Sequence, residues 1–244
     1  MIVSFVIPAY NEAKYLSLCL DSVLALKKSS PHTIEIIVVD NASTDATALI
    51  AARYKDVTVI TEPIQGLAAA RQAGFKAAKG ELIANIDADT IVPGAWLNTA
   101  LKFFENDKRL VALSGPHDFY DARPITRKWI RIFYGAAYLV YLLNAYVFRS
   151  GSLLQGGNFI VKKSALKKIN GFNSDYTFYG EDADIARRLF KVGRVVFTFK
   201  LPIFASARRL KKQGALWTAA HYAAGYIWAV IFKKPLPKTS PNYR

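Results

Sequence analysis

Residues 33–45 read Thr33-Ile34-Glu35-Ile36-Ile37-Val38-Val39-Asp40-Asn41-Ala42-Ser43-Thr44-Asp45. Ile36-Ile37-Val38-Val39 are apolar at consecutive positions, which fits a strand buried on both faces of a parallel sheet, and the change to Asp40-Asn41 marks its end. The flanking sequence follows the same rule. Residues 2–8 form a strand-like run that closes in Ala9-Tyr10-Asn11-Glu12, and residues 12–28 are amphipathic. After Asp45 come a helical pattern (44–54), a strand (57–61), a second helical pattern (67–79) and a strand (82–87) ending in Asp87-Ala88-Asp89. Strand alternating with helix predicts an α/β domain built on a mostly parallel sheet with helices on its faces. Asn11 and Ser43-Thr44 read as caps that open the following helices. Ligands of such sheets bind at the carboxyl ends of the strands, so the three polar strand ends are expected to share one crevice.

Charge divides the chain of 244 residues. Residues 1–122 carry 11 basic and 14 acidic side chains, residues 123–244 carry 22 and 4, and the whole chain is at +15. The basic half suits an anionic partner (a phosphate ester, an anionic membrane leaflet or nucleic acid), with a merely solvated basic surface as the plain alternative. Nucleic acid is disfavoured, because it would not explain the acidic strand ends and no recognised nucleic-acid motif is present. A hydrophobic fraction of 52% excludes a disordered chain. The lone Cys19 cannot form an internal disulfide, fits a reducing compartment, and falls among Leu16, Leu20 and Val23 as a core residue. No basic segment precedes residues 2–7, so no signal peptide is expected. No Gly-x-Gly-x-x-Gly follows the first strand and no P-loop is present, which argues against a dinucleotide or P-loop fold.

Two uncharged stretches, 132–148 and 215–232, are near the lower limit for a membrane span. Both are rich in aromatic and small residues and are bordered by cations, which suits helices lying in a membrane interface, with ordinary core or oligomer helices and a true span as the alternative readings. A domain over 1–205, with an interfacial helical insertion at about 126–150 and a basic, aromatic tail over 206–244, is the organisation expected.

Asp87 and Asp89 are two residues apart after a strand, so in extended backbone both carboxylates face one side and can share a hard divalent cation. On those residues alone a polar turn is an equal reading. Context adds to them. Pro8-Ala9-Tyr10-Asn11-Glu12, Val38 through Asp45, Gly66 through Ala70 with Arg71 and Gly74, and Ile86-Asp87-Ala88-Asp89 together resemble the family 2 glycosyltransferases, which have a GT-A fold. The resemblance continues through Gly156-Gly157-Asn158, Gly171-Phe172 and Gly180-Glu181-Asp182-Ala183-Asp184.

The resemblance implies that Pro8, Tyr10 and Glu12 line a nucleotide pocket, that Asp40 bonds the base, and that Arg71 lies near the nucleotide or its phosphates. It implies that Asp87 contacts the ribose or sugar and that Asp89 ligates Mn²⁺ or Mg²⁺. The Glu181-Asp182 pair matches the segment supplying the catalytic base, with Asp182 as the base of an inverting transfer. Acidic residues also suit a helix start there. Gly156, Gly157 and Asn158 fall on the acceptor side, with a β-bulge as the plain alternative. Arg208 and Arg209 could clamp a diphosphate or form a membrane-facing basic run.

The partners expected are a nucleotide-sugar donor, a lipid-linked or cell-envelope glycan acceptor and an anionic membrane surface on the cytoplasmic side. His32, His117 and His221 all lie away from the position where family members often carry a further metal ligand. The Gln-x-x-Arg-Trp signature of processive members is also absent, which argues for transfer of one sugar. The alternative is a non-catalytic, nucleotide- or lipid-binding assembly partner with the same fold.

Overall fold

A computed structural model describes residues 1–147, 153–176 and 180–214, with isolated positions from 217 to 234. Most of the 215–232 stretch and of the tail therefore lies outside the described residues. The chain begins β1 (Ile2–Ala9), α1 (Leu16–Ser29), β2 (Thr33–Asp40), α2 (Thr47–Ala52), β3 (Val57–Thr61), α3 (Leu67–Ala77), β4 (Leu82–Ile86) and β5 (Thr90–Ile91). It continues α4 (Trp96–Asn106), β6 (Leu110–Ser114), β7 (His117–Phe119) and α5 (Pro124–Leu142), which runs into a π-helical turn (Leu143–Val147). Then follow β8 (Asn158–Lys162), α6 (Lys163–Lys168), α7 (Glu181–Phe190), β9 (Arg194–Phe197), β10 (Ile203–Ala205) and α8 (Arg208–Gln213).

Among the described residues, seven strands form one sheet in the order β3-β2-β1-β4-β8-β6-β9. Only β8 runs antiparallel to its neighbours β4 and β6. The consecutive apolar residues of β1, β2 and β4 are explained by this placement, because each strand is sandwiched. Val3, Phe5 and Ile7 pack with α1 and α4 residues on one face, and Val6, Ile37 and Val39 pack with α3 and α7 residues on the other. A small sheet, β5-β10-β7, holds the segment after β9 against the end of β4. Cys19 is fully buried in the first layer, where burial pushes its thiol above the ordinary range, and its Sγ lies 3.6 Å from the Asp87 carbonyl oxygen.

Two helix starts differ from the sequence expectation. α1 begins at Leu16 and α2 at Thr47, and neither has a side-chain cap. Asn11 instead adopts φ 54°, its carbonyl Oδ1 accepts from the Thr44 amide at 2.8 Å, and its own amide donates to Ser43 Oγ at 3.1 Å. The short polar residues bind each other across the sheet's edge, so the loops after β1 and β2 form one ledge.

Helix α5 packs inward through Tyr134 and Tyr141, with Tyr134 stacked on Phe197 at 6.1 Å. No helix among the described residues is long and apolar enough to cross a membrane.

The close approach of α3 to the sheet depends on Gly74, where an added Cβ would lie 2.2 Å from Val6 Cγ1. Gly74→Ala gains about 1 kcal/mol of helix propensity but overpacks a rigid, β-branched neighbour at roughly 1–3 kcal/mol. The variant is therefore expected to unfold at lower urea than the parent; an unchanged or higher midpoint in urea denaturation would contradict this packing.

Candidate active site

The carboxyl ends of β2, β1 and β4 lie side by side, with Ala9 level with Asp40 in parallel register. Pro8 is buried within β1 and Tyr10 is half-buried just past it. Asp40 is buried, and its Oδ1 has no hydrogen-bond partner, so this carboxylate is left for a ligand's donor. Asn41 shapes the wall beside it. Its Nδ2 donates to the carbonyls of Glu62 (2.9 Å) and Ile64 (2.7 Å), and its Oδ1 accepts from the Gly66 amide (2.8 Å).

Arg71, on α3, is completely buried. Its Nη2 meets Asp87 Oδ1 at 3.1 Å, and its Nη1 is ion-paired with Glu181 Oε1. The guanidinium also lies 5.6 Å from the centre of the Phe159 ring. One cation thus joins the end of β4 to the start of α7. Glu181 Oε2 is buried with no hydrogen-bond partner. Asp182, next in the chain, is half-buried and opens on the crevice. Burial pushes its carboxyl pKa above the ordinary value, against the opposing pull of the Ala183 amide, Arg71 and the Gly156 backbone. Asp184 turns away and pairs with Arg187 and Arg188, both at 2.7 Å, so its role is to hold α7.

The loop before β8 closes over these groups. Gly157 has φ +76°, and a Cβ there would lie 2.2 Å from Asp87 Cγ. At Gly156 a Cβ would meet Glu181, Asp182 and Arg71 at 3.4 to 3.6 Å. Asn158 sits deeper. Its Oδ1 accepts from Trp96 Nε1 at 2.9 Å, while its Nδ2 donates to the carbonyls of Pro116 and Leu201. Its polar atoms are thus engaged in holding the β7 and β10 loops beneath the glycines.

Arg208, at the start of α8, reaches back across the crevice. Its Nε lies 3.0 Å from Asp89 Oδ2, its Nη2 is ion-paired with Glu12 Oε1, and its guanidinium lies 4.7 Å from the Tyr15 ring centre. A positive group therefore occupies the space between Asp89 and Glu12. Carboxylate oxygens of this kind are hard donors of the sort that Mg²⁺ or Mn²⁺ takes. No cluster of three or more potential ligands is assembled among the described residues. Arg209 lines the crevice with Leu67, Arg71, Asp87, Gly156 and Asp182, and the free volume between them is about 30 Å³. That holds about one water.

Three participants were not identified from the sequence. Gln155 lines the crevice, and its Oε1 accepts from Tyr134 of α5 at 3.1 Å. The His117 ring lies beside the carboxylates; burial lowers its pKa, opposed by the charges of Asp87 and Asp89 and by a hydrogen bond to the Gly157 backbone. None of these residues stands in a recognisable motif, so only their three-dimensional neighbours reveal them.

The family model described as glycosyl transferase family 2 matches residues 4–170, which contain the ledge, Arg71 and both strand-end aspartates. The chain belongs to glycosyl transferase family 2. A further model, described as the N-terminal domain of galactosyltransferase, matches residues 145–211. The glycosyltransferase EpsH of Bacillus subtilis is 34% identical over 123 residues, covering 49% of this chain and 35% of EpsH. A dolichyl-phosphate beta-glucosyltransferase of Trichomonas vaginalis is 32% identical over 143 residues, 53% of this chain and 44% of that protein. The chain thus spans less than half the length of these two relatives in the matched regions. Among solved structures, the mannosyltransferase PcManGT of Pyrobaculum calidifontis, in complex with GDP-Man and Mn²⁺, superposes with a TM-score of 0.65 at 22% identity, covering 92% of this chain and 64% of that one. That likeness shows the GT-A fold.

In this family 2 protein, Arg71→Met should strip the compensating charge from two carboxylates at once. Breaking a buried ion pair costs about 3–5 kcal/mol, so urea denaturation should show a loss of that order. Arg71→Lys should recover only part of it, because an ammonium lacks the planar fork that spans both partners. Full rescue by lysine would argue that the bridge is not what holds the site.

Proposed function

We propose that this chain is an inverting glycosyltransferase that moves one sugar from a nucleoside-diphosphate sugar to a lipid-linked or cell-envelope glycan acceptor. The domain over 1–205 holds the chemistry, with Arg208 and Arg209 reaching into it from the tail over 206–244, which associates with the anionic inner face of a membrane. The observation that carries this reading is that Asp87 and Asp182 line one crevice with Arg71 and Arg209, while Asp89 and Glu12, from past the ends of neighbouring strands, share the Arg208 guanidinium. The solved relative with GDP-Man and Mn²⁺ and the dolichyl-phosphate relative support the donor and lipid classes. The strongly basic second half of the chain supports the membrane partner.

Donor binding begins on the ledge. Asp40 accepts from the base, Tyr10 and Pro8 flank it, and Glu12 and Asp87 lie along the ribose and phosphates. A diphosphate needs more room than the crevice offers, so Arg208 must leave Asp89 and Glu12 and, with Arg209, turn to the phosphates. A Mn²⁺ or Mg²⁺ ion held by Asp89 supplies charge that offsets the departing nucleoside diphosphate. Asp182 takes the proton of the acceptor hydroxyl as its oxygen attacks the anomeric carbon, and the bond to the diphosphate breaks on the opposite face. With a phosphate acceptor, already ionised, Asp182 orients the attacking oxygen instead.

Asp182→Asn tests the assignment. Loss of a general base lowers turnover by roughly 10²–10⁴-fold, while donor binding should persist. A carboxyl whose folded pKa is raised penalises the native state once pH exceeds that pKa, so the neutral amide should leave thermal stability at pH 7 equal or higher. With a hydroxyl acceptor, the acid limb of the parent's kcat/KM profile should fall above the ordinary aspartate range. Unchanged turnover in the variant would overturn Asp182 as the base, whereas a parent that binds donor and turns nothing over would favour the non-catalytic assembly partner.

A further inference from the structure

Helix α5 turns an unusual face outward. Ile125, Trp129, Ile132, Leu139 and Val140, with Leu143 at the start of the π-helical turn, fall on one side of the helix. Successive residues are three, four or seven positions apart except for the adjacent pair Leu139-Val140, and all are exposed, Trp129 and Leu139 to 64% and 63%. Over Ile125 to Leu143 this makes an apolar ridge about 27 Å long at the rise of an α-helix. Solvated helices do not carry such a face without a partner. The opposite face is already engaged, with Tyr134, Tyr141 and Ile130 packed around Phe197.

The amino-terminal end of the ridge borders an open groove of about 450 Å³ lined by Pro124, Arg127, Lys128, Arg131 and Ile132. Arg127 is anchored, its guanidinium donating to the carbonyls of Phe119 (2.8 Å) and Tyr120 (2.6 Å). Lys128 and Arg131 are exposed and form no ion pair among the described residues. No aspartate or glutamate occurs from Ala122 to Ser174. The groove is thus cationic and the ridge beside it apolar, a combination that matches a phosphate headgroup with its acyl chains and would leave a protein partner's charged rim unanswered.

We propose that the outer face of α5 docks in the plane of an anionic bilayer, its ridge entering the headgroup–acyl boundary and its groove taking a lipid phosphate. The inference rests on the reading of a membrane-resident acceptor and specifies how the bilayer is met. Its consequence for the site follows from the inner face. Tyr134 Oη accepts from the His117 amide at 3.0 Å and donates to Gln155 Oε1 at 3.1 Å, and Gln155 lines the crevice next to Gly156. A bilayer against α5 therefore lies one helix diameter from the acceptor side, within reach of a lipid-linked substrate.

The test is co-sedimentation of the full chain with phosphatidylglycerol/phosphatidylcholine vesicles and with pure phosphatidylcholine vesicles. Removing two surface cations weakens partitioning onto an anionic leaflet about thirtyfold, so Lys128→Ala/Arg131→Ala should lose that much on the anionic vesicles. Trp129→Ser/Leu139→Ser should weaken binding to both kinds of vesicle. Brominated acyl chains should quench the parent's tryptophan fluorescence more than that of Trp129→Phe. Parent-like vesicle binding by both double variants overturns the proposal, as does a parent dimer that Trp129→Ser/Leu139→Ser converts to monomer without changing vesicle binding. A thermal shift with nucleotide-sugars in the absence of vesicles separates the two readings. Vesicle binding through α5 by a chain that binds no donor would sink the glycosyltransferase reading alone, and donor binding with α5-independent vesicle binding would sink this one alone.

Discussion

The Arg71 guanidinium is the constraint around which the site is built. A fully buried cation is tolerable only if carboxylates reach it, and here one comes from the end of β4 and the other from the start of α7, 110 residues along the chain from Arg71. The bridge fixes where α7 begins, and Asp182 follows Glu181 directly. It also dictates the loop over it, because Gly157 must pass so close to Asp87 that no side chain fits. Asn158, next in line, then ties that loop to the chain after β6 and β9. Packing, backbone conformation and the placement of a reactive carboxyl are consequences of keeping one charge satisfied.

The uneven charge of the chain has a local expression at the same place. The amino-terminal half contributes Glu12, Asp87 and Asp89, and the carboxy-terminal half answers with Arg208 and Arg209. Each arginine offsets part of the acidic charge, and Arg208 in particular occupies the space between Asp89 and Glu12. On the function proposed above, binding an anionic donor would be an exchange of partners, with phosphates taking the arginines and the carboxylate of Asp89 released to a metal. Lys128 and Arg131 on α5 form no ion pair among the described residues, and their surface is of a different kind.

Much of the fold was legible because burial on both faces leaves a plain mark: Ile36-Ile37-Val38-Val39 fits a strand covered on both faces, and β2 is one, next to the edge strand β3. The positions of the strand-end residues were legible for a similar reason: Asp40 and Asp87 stand where the apolar runs of β2 and β4 end. Asn11 and Ser43 misled, because capping propensity is judged along the chain while their partners stand 32 residues away across the ledge. Asn158 was marked by its motif, yet its amide is fully engaged in supporting loops. Tyr134 read as one aromatic among many in an apolar stretch; only the packing of α5 shows that its hydroxyl joins His117 to Gln155. Isolated residues whose partners are distant in sequence carry no periodic signal, and those were the ones missed.

The central claim is that the crevice is a metal-assisted donor site in which Arg208 gives way to a nucleoside diphosphate. The most direct measurement is a thermal-shift series with UDP-, GDP-, dTDP- and CDP-sugars, each with Mn²⁺ and with a chelator. One nucleotide class should raise the melting temperature, by more with Mn²⁺ than with the chelator, because a ligand that binds only the native state stabilises it by mass action. A folded protein whose melting temperature is unmoved by every donor, with or without metal, would contradict the account.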